Sequence, residues 1–250
     1  MKQLLLSCLL LLPLLANANP SANGVLDIAH RGYAAMNPES TLQAFQYAID
    51  SGADGLELDI RQSADNVLLV THEPVIAEIG SQRVENTQSK QAFLKSNIPS
   101  LEEVIILAKQ YRIPLWIEIK QSHLYPGITQ RLIALLNQYD YLNNVVIQSF
   151  NHQDLLAVYQ MNPNIPLLAL FTNNFDMSRL PTFVELVGLP ITPRYADPAL
   201  IAALHSVGKG VIFWRQNAAS ERGDIIRRFI EIGADGFMLD RPLDEVLSSP

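Results

Sequence analysis

Eight short apolar runs of strand type recur along this chain, at residues 25–30, 55–60, 115–119, 145–149, 167–171, 186–192, 211–215 and 236–240. Each gap between consecutive runs carries a stretch of helical period, at about 40–51, 100–111, 127–139, 151–161, 175–185, 198–207 and 219–232. Strict alternation of this kind demands parallel strands joined by right-handed crossovers, which brings all strand ends of one polarity to a single rim. Eight such units predict a (β/α)8 TIM barrel, with its chemistry at the carboxyl ends of the strands. A ninth run, 67–72, follows the second by too few residues for a parallel crossover. It is expected as an extra hairpin strand on the rim after strand 2, bringing His72 back over the site. The polar stretch 77–97 is then the one long insertion, expected to overhang the mouth as a lid or substrate-selecting loop.

The first strand, helix and strand carry the densest chemistry. The first strand ends on His30-Arg31-Gly32, and Pro38-Glu39 sits in the loop that follows. Ser40-Thr41-Leu42-Gln43 has the form of a capping box, and Leu42, Phe45, Ala48 and Ile49 supply a helical apolar stripe that Gly52 stops. In the second strand Glu57 and Asp59 lie two apart and so share a face. Two inward carboxylates repel one another and resist leaving water, an objection that a hard divalent cation removes.

The chain contains its own control. Gly52-Ala53-Asp54-Gly55-Leu56-Glu57-Leu58-Asp59 recurs as Gly233-Ala234-Asp235-Gly236-Phe237-Met238-Leu239-Asp240. The shared Gly-Ala-Asp-Gly reads as a helix-to-strand turn, and Met238 in the second copy means that the turn does not need the acid at Glu57. In the third strand, Trp116, Glu118 and Lys120 alternate onto one face, sending an acid and a base into the barrel where apolar side chains are usual. Glu118 completes a set of three carboxylate ligands with Glu57 and Asp59, and Lys120, nearer the rim, can hold an anion. The cation expected is Ca2+ or Mg2+.

Before any of this stands a leader. Residues 1–18 combine Lys2, an apolar stretch from Leu4 to Leu15 and an Ala16-Asn17-Ala18 exit, the pattern of a secretory signal peptide. Export, to a periplasm or the exterior, is therefore expected, with no stable membrane insertion after cleavage. Cys8 is the single cysteine, so a chain beginning at Asn19 has no thiol nucleophile, disulfide or zinc–cysteine site. The remainder, 19–250, reads as one domain. A formal net charge of −7 without any Lys/Arg run argues against nucleic acid as a partner.

Taken in order, these motifs resemble the glycerophosphodiester phosphodiesterase family, within the phospholipase-C-like barrel phosphodiesterases. The resemblance rests on His30-Arg31-Gly32, Pro38-Glu39-Ser40-Thr41, Gly52-Ala53-Asp54 before Glu57-x-Asp59, His72, Ile98-Pro99-Ser100-Leu101-Glu102-Glu103, Glu118-x-Lys120, Ser149-Phe150, Trp214 with Asn217, and Gly233-Ala234-Asp235-Gly236 through Asp240-Arg241-Pro242. It implies a metal-dependent hydrolase cleaving a small-molecule glycerophosphodiester to glycerol 3-phosphate and an alcohol. By position it makes Glu57, Asp59 and Glu118 the metal ligands, His30 and His72 the acid/base pair, and Arg31 and Lys120 the phosphate contacts. Glu39 is assigned to the site, as a further ligand or a support to one, in preference to a helix cap. Phe150 and Trp214, at strand ends, are candidates for an apolar wall against the glycerol. Four positions depart from the family pattern: Glu73 for Asp, Ser40 for Asn, Arg215-Gln216 inside Trp-Thr-x-Asn, and Leu239 for Thr. They bear on the alcohol and on the support of the site rather than on the reaction.

Two other functions compete. A lysophospholipase D acting at a membrane surface calls for an apolar lid at 77–97, which is mostly polar; a non-catalytic phosphodiester-binding barrel calls for a missing histidine or ligand, and all are present. His123, His152 and His205, without acidic partners at fixed spacing, are expected at the surface, and Ser149 lacks a nucleophile elbow.

Overall fold

The structure, a computed structural model, describes residues 24–249, so the leader and Cys8 lie outside the described residues. Its strands in chain order are β1 (Leu26–His30), β2 (Gly55–Gln62), β3 (Leu68–Val70), β4 (Val75–Ile76), β5 (Gln82–Arg83), β6 (Leu115–Ile119), β7 (Val145–Ser149), β8 (Leu167–Leu170), β9 (Leu186–Pro190), β10 (Gly210–Trp214) and β11 (Gly236–Leu239). Its α-helices are α1 (Leu42–Asp50), α2 (Ser89–Lys95), α3 (Leu101–Tyr111), α4 (Ile128–Gln138), α5 (His152–Met161), α6 (Pro198–Ser206), α7 (Gly223–Glu231) and α8 (Leu243–Ser248).

β1, β2, β6, β7, β8, β9, β10 and β11 pair in parallel, and β1 pairs with both β2 and β11, closing an eight-stranded ring. β3 runs antiparallel to β2 outside that ring, with Ile60 opposite Val70, so the expected extra strand is present in shortened form. Alternation sorts the side chains. Leu56, Leu58 and Ile60 of β2 join the large core under the helices, while Leu26, Ile28, Trp116, Val146, Leu168, Leu186, Ile212 and Met238 fill the barrel interior. The interior layer is tiled by large residues against glycines. A Cβ on Gly55 would lie 2.5 Å from Trp116 Nε1 and 2.8 Å from its Cδ1. Trp116 is buried, so Gly55→Ala must displace an indole inside a packed barrel, at an expected cost of about 1–3 kcal/mol. Thermal unfolding checks it: the melting temperature falls by several degrees, and an unchanged value would mean that the indole swings aside freely.

The repeated Gly-Ala-Asp-Gly does form a helix-to-strand turn twice: Gly52 and Gly233 follow α1 and α7 with φ of +84° and +103°, the left-handed region that favours glycine. Both Glu57 and Met238 then face the interior.

Four expectations are corrected. No α-helix forms at 175–185; there is only a single 3-10 turn at Met177–Arg179. Pro181 lacks an N–H and pushes Leu180 to an extended ψ of 122°, and Asp176 spends its side chain capping that short turn. α1 is capped by Thr41, whose hydroxyl accepts from Ala44 N at 3.1 Å, while Ser40 sits at φ +59°. Leu42 is consequently exposed rather than part of the buried stripe. The short α8 is an element that the periodicity missed; its first N–H, at Leu243, is received by the buried Asp27 carboxylate at 2.8 Å. Burial raises the Asp27 pKa to about 6. Finally, 77–97 is not a lid. It folds as a β4–β5 hairpin and α2 around a small core of Leu69, Ile76, Val84 and Ala92, pinned by Asp65 to Ser89. These apolar residues, too sparse for a visible period, find their partners on β3.

Candidate functional site

Strand register builds the site. In one rung of the barrel His30 lies beside Glu57, and in the next Asp59, Glu118 and Gln148 are neighbours on β2, β6 and β7. Glu57 is level with Trp116 in the register, and Asp59, Glu118 and Gln148 stand one inward position nearer the carboxyl rim. A cavity of about 290 Å³ opens over them, lined by His30, Arg31, Glu57, His72, Glu118, Lys120, Phe150 and Trp214 among others. Asp59 is not among the lining residues; it is buried and bridges Arg31 Nε (3.2 Å) and Lys120 Nζ (3.1 Å). Glu39 stands outside the cavity and pairs with Arg31 Nη1 at 3.1 Å, so it supports a site residue instead of facing the cavity. No residue of 77–97 is among those lining the cavity.

Glu57, Asp59 and Glu118 each offer an oxygen within 4.8 Å of the others. Their electrostatics are those of a cluster only partly compensated, three buried acids against the two cations Arg31 and Lys120. Burial, and then the charge of Asp59, push the Glu57 pKa well up. Burial likewise raises Glu118 to about 7 against the pull of Lys120. Asp59 suffers the same burial, but Lys120 and then Arg31 outweigh it and hold its pKa below the usual range. Asp59 Oδ2 meets Arg31 Nε at an angle that makes no hydrogen bond, leaving both atoms buried without a hydrogen-bond partner. Three hard oxygen donors converging in one pocket, with an acceptor atom left over, fit a divalent cation.

The two histidines are held differently. His30 Nδ1 meets Asp240 Oδ1 at 2.5 Å, which leaves Nε2 toward Glu57 Oε2 at 3.9 Å. Burial lowers the His30 pKa, with the Asp240 bond opposing. His72 uses Nδ1 for Glu73 at 2.9 Å, so its Nε2 is also the nitrogen without that bond. Phe150 and Trp214 both line the cavity and meet edge to face with ring centres 5.8 Å apart, and Lys120 Nζ lies 5.9 Å from the Phe150 ring centre.

Sequence reasoning missed several partners of these groups. Gln148 is buried and donates to Glu57 Oε1 at 3.0 Å; the only hint was a polar residue at an inward position of Val-Val-Ile-Gln-Ser. Asp240 was legible only as part of a motif, yet it joins His30 to Arg215 (2.7 Å), which in turn pairs with the buried Glu221. His123 is exposed as expected, but His205 pairs with Asp235 at 2.8 Å and His152 meets the Leu170 carbonyl at 3.1 Å. Neither partner is close in sequence, which is why spacing did not reveal them.

Fold and site together define a barrel hydrolase for an anionic ester: acids, two histidines and two cations around one polar cavity. The model of the Glycerophosphoryl diester phosphodiesterase family matches residues 30–244, most of the chain. A glycerophosphodiester phosphodiesterase of Caldanaerobacter subterraneus subsp. tengcongensis is 30% identical over 234 residues, covering 87% of this chain and 94% of its own. One from Bacillus altitudinis is 26% identical over 237 residues, covering 86% and 94%. Among solved structures, a phosphodiesterase of Oleispira antarctica in complex with the product sn-glycerol-3-phosphate matches with a TM-score of 0.78 at 20% identity, covering 90% of this chain and 97% of that one. The chain belongs to the glycerophosphoryl diester phosphodiesterase family.

Proposed function

We propose that this chain is a metal-dependent phosphodiesterase that hydrolyses glycerophosphodiesters to glycerol 3-phosphate and an alcohol. The observation that carries this reading is the gathering of Glu57, Asp59 and Glu118 with His30, His72, Arg31 and Lys120 at one cavity, in a chain of this family. The bound product of the Oleispira antarctica phosphodiesterase supports the choice of product.

A phosphodiester is an anion with a poor alkoxide leaving group, so hydrolysis needs charge neutralisation at the non-bridging oxygens and a proton for the departing oxygen. Glu57, Asp59 and Glu118 would hold a Ca2+ or Mg2+ ion, which when bound would supply part of the first as a Lewis acid. Arg31 and Lys120 supply the rest: both spend their charge on Asp59 and its neighbours, and a cation on those oxygens would free their N–H groups for phosphate. His30 and His72 each keep Nε2 for proton transfer, one accepting from the attacking hydroxyl or water and the other returning a proton to the alkoxide. Trp214 and Phe150 offer the glycerol carbons an apolar face. For the lysophospholipase D alternative, the expected lid is absent from the lining: among the described residues none of 77–97 lines the cavity. The exported setting read from the leader belongs to the same proposal.

The test is a panel of glycerophosphodiesters, glycerophosphocholine and glycerophosphoethanolamine included, assayed for glycerol 3-phosphate release by the purified chain from Asn19. Chelator is expected to abolish release, and Ca2+ or Mg2+ to restore it. Full activity after exhaustive chelation would sink the metal-dependent reading.

A further inference from the structure

Arg61 is an anomaly at the end of β2. It is 4% exposed, yet its hydrogen-bond partners are neutral: Nε and Nη2 donate to the backbone carbonyl of His72 at 3.1 and 2.7 Å, and Nη1 donates to Gln121 Oε1 at 2.6 Å and to Tyr125 Oη at 3.3 Å. Among the described residues it makes no ion pair. A buried charge without a counter-charge is costly to keep, and a neutral side chain of similar shape is ordinarily the more stable solution. The guanidinium is therefore retained for what its fork holds.

What it holds is the loop bearing His72. The ladder between β2 and β3 ends with Thr71 N bonding to Asp59 O at 3.0 Å, and His72 follows before β4 begins. The side chain cannot anchor itself: it is 32% exposed, and its one partner, Glu73, is 65% exposed. An exposed pair of this sort fixes a ring weakly. Two donors of a rigid planar fork on one carbonyl fix the backbone, and the third position of the fork ties it to Gln121 and Tyr125, directly after Lys120. The distance between His72 and the Glu118–Lys120 rim is thus set through Arg61.

We infer that Arg61 is a positioning residue that holds His72 in register with the acids and with Lys120, through charge-assisted bonds to the His72 carbonyl. This rests on the reading of His72 as a proton carrier under "Proposed function". Arg61 touches no substrate, so its loss acts on the alignment of His72 and not on phosphate binding. A misplacement of about 1 Å can cost up to about a hundredfold in rate.

The experiment measures kcat and KM for glycerophosphocholine well below each variant's melting temperature. Arg61→Met is expected to lower kcat by about ten- to a hundredfold with KM within about twofold, since Arg31 and Lys120 are untouched. Arg61→Lys is expected to recover part of that loss, because an ammonium keeps the charge but not the fork. The Gln121→Ala, Tyr125→Phe double variant keeps Arg61 and frees its far end; a several-fold fall in kcat at constant KM is expected, and it carries the test if Arg61→Met does not fold. Proton–carbon NMR of the imidazoles adds a readout independent of turnover: the His72 signal broadens in Arg61→Met while that of His30 does not. If these variants keep wild-type kcat while His72→Ala loses it, the inference is overturned. If His72→Ala itself keeps wild-type kcat, the functional reading fails first.

Discussion

Glu57→Gln is expected to lower turnover by about two to three orders of magnitude and to weaken binding of the proposed cation in parallel. The substitution is nearly isosteric: the amide oxygen can still accept from Arg31 N, which now donates to Oε2 at 3.1 Å, and the new NH2, standing where Oε1 accepts from Gln148 Nε2 at 3.0 Å, is met once the Gln148 amide turns its unpartnered Oε1 toward it. What it removes is one of three negative oxygens converging within 4.8 Å. With it goes a buried acid whose own pKa is pushed well up by burial and then by the charge of Asp59, with Glu118 adding to it. The folded chain should therefore tolerate the change or gain from it, since the penalty of crowding buried acids is relieved. Calorimetric titration with Ca2+ and Mg2+ beside steady-state kinetics checks both halves. Wild-type cation affinity with lost turnover would remove Glu57 from the ligand set and leave it some other task.

His72→Ala makes the complementary prediction: turnover falls by about two decades or more, while cation affinity stays within about twofold. His72 lines the cavity opposite the acids without bonding to any of them, and its own partner is Glu73 on the outer side. Deleting the imidazole thus removes a proton carrier and leaves the triad's geometry as it is. The pair of results separates cation binding from proton transfer within one cavity. Turnover at the wild-type level in His72→Ala would strike His72 from the reaction.

The parts of this molecule that were legible in advance share a physical cause. A strand end, a helix period and a Gly-Ala-Asp-Gly turn are encoded within a few residues, so eight barrel strands and the residues projecting from their ends could be read locally. Even the contrast between Glu57 and Met238 in matching turns needed only the sequence. Where local signals conflicted, the reading failed: the helix expected at 175–185 is one that Pro181 and the capping Asp176 prevent. At 77–97 the error was of another kind, because its few apolar residues make a core only against β3.

The sequence by itself determined the barrel, the rim on which its chemistry lies, and the identity of the three acids, two histidines and two cations that meet there. For the acids and Lys120 that follows from alternation, which assigns a side chain to a face without reference to anything distant; His30 and Arg31 were placed by the end of their strand and His72 by the hairpin, and their roles came from the family resemblance. Only the tertiary structure decided who supports them: Gln148 on Glu57, Asp240 on His30, Glu39 on Arg31, and Arg61 under His72. Such partners lie up to 210 residues apart along the chain. Closing the ring makes first and last strands neighbours, and no local pattern carries that information.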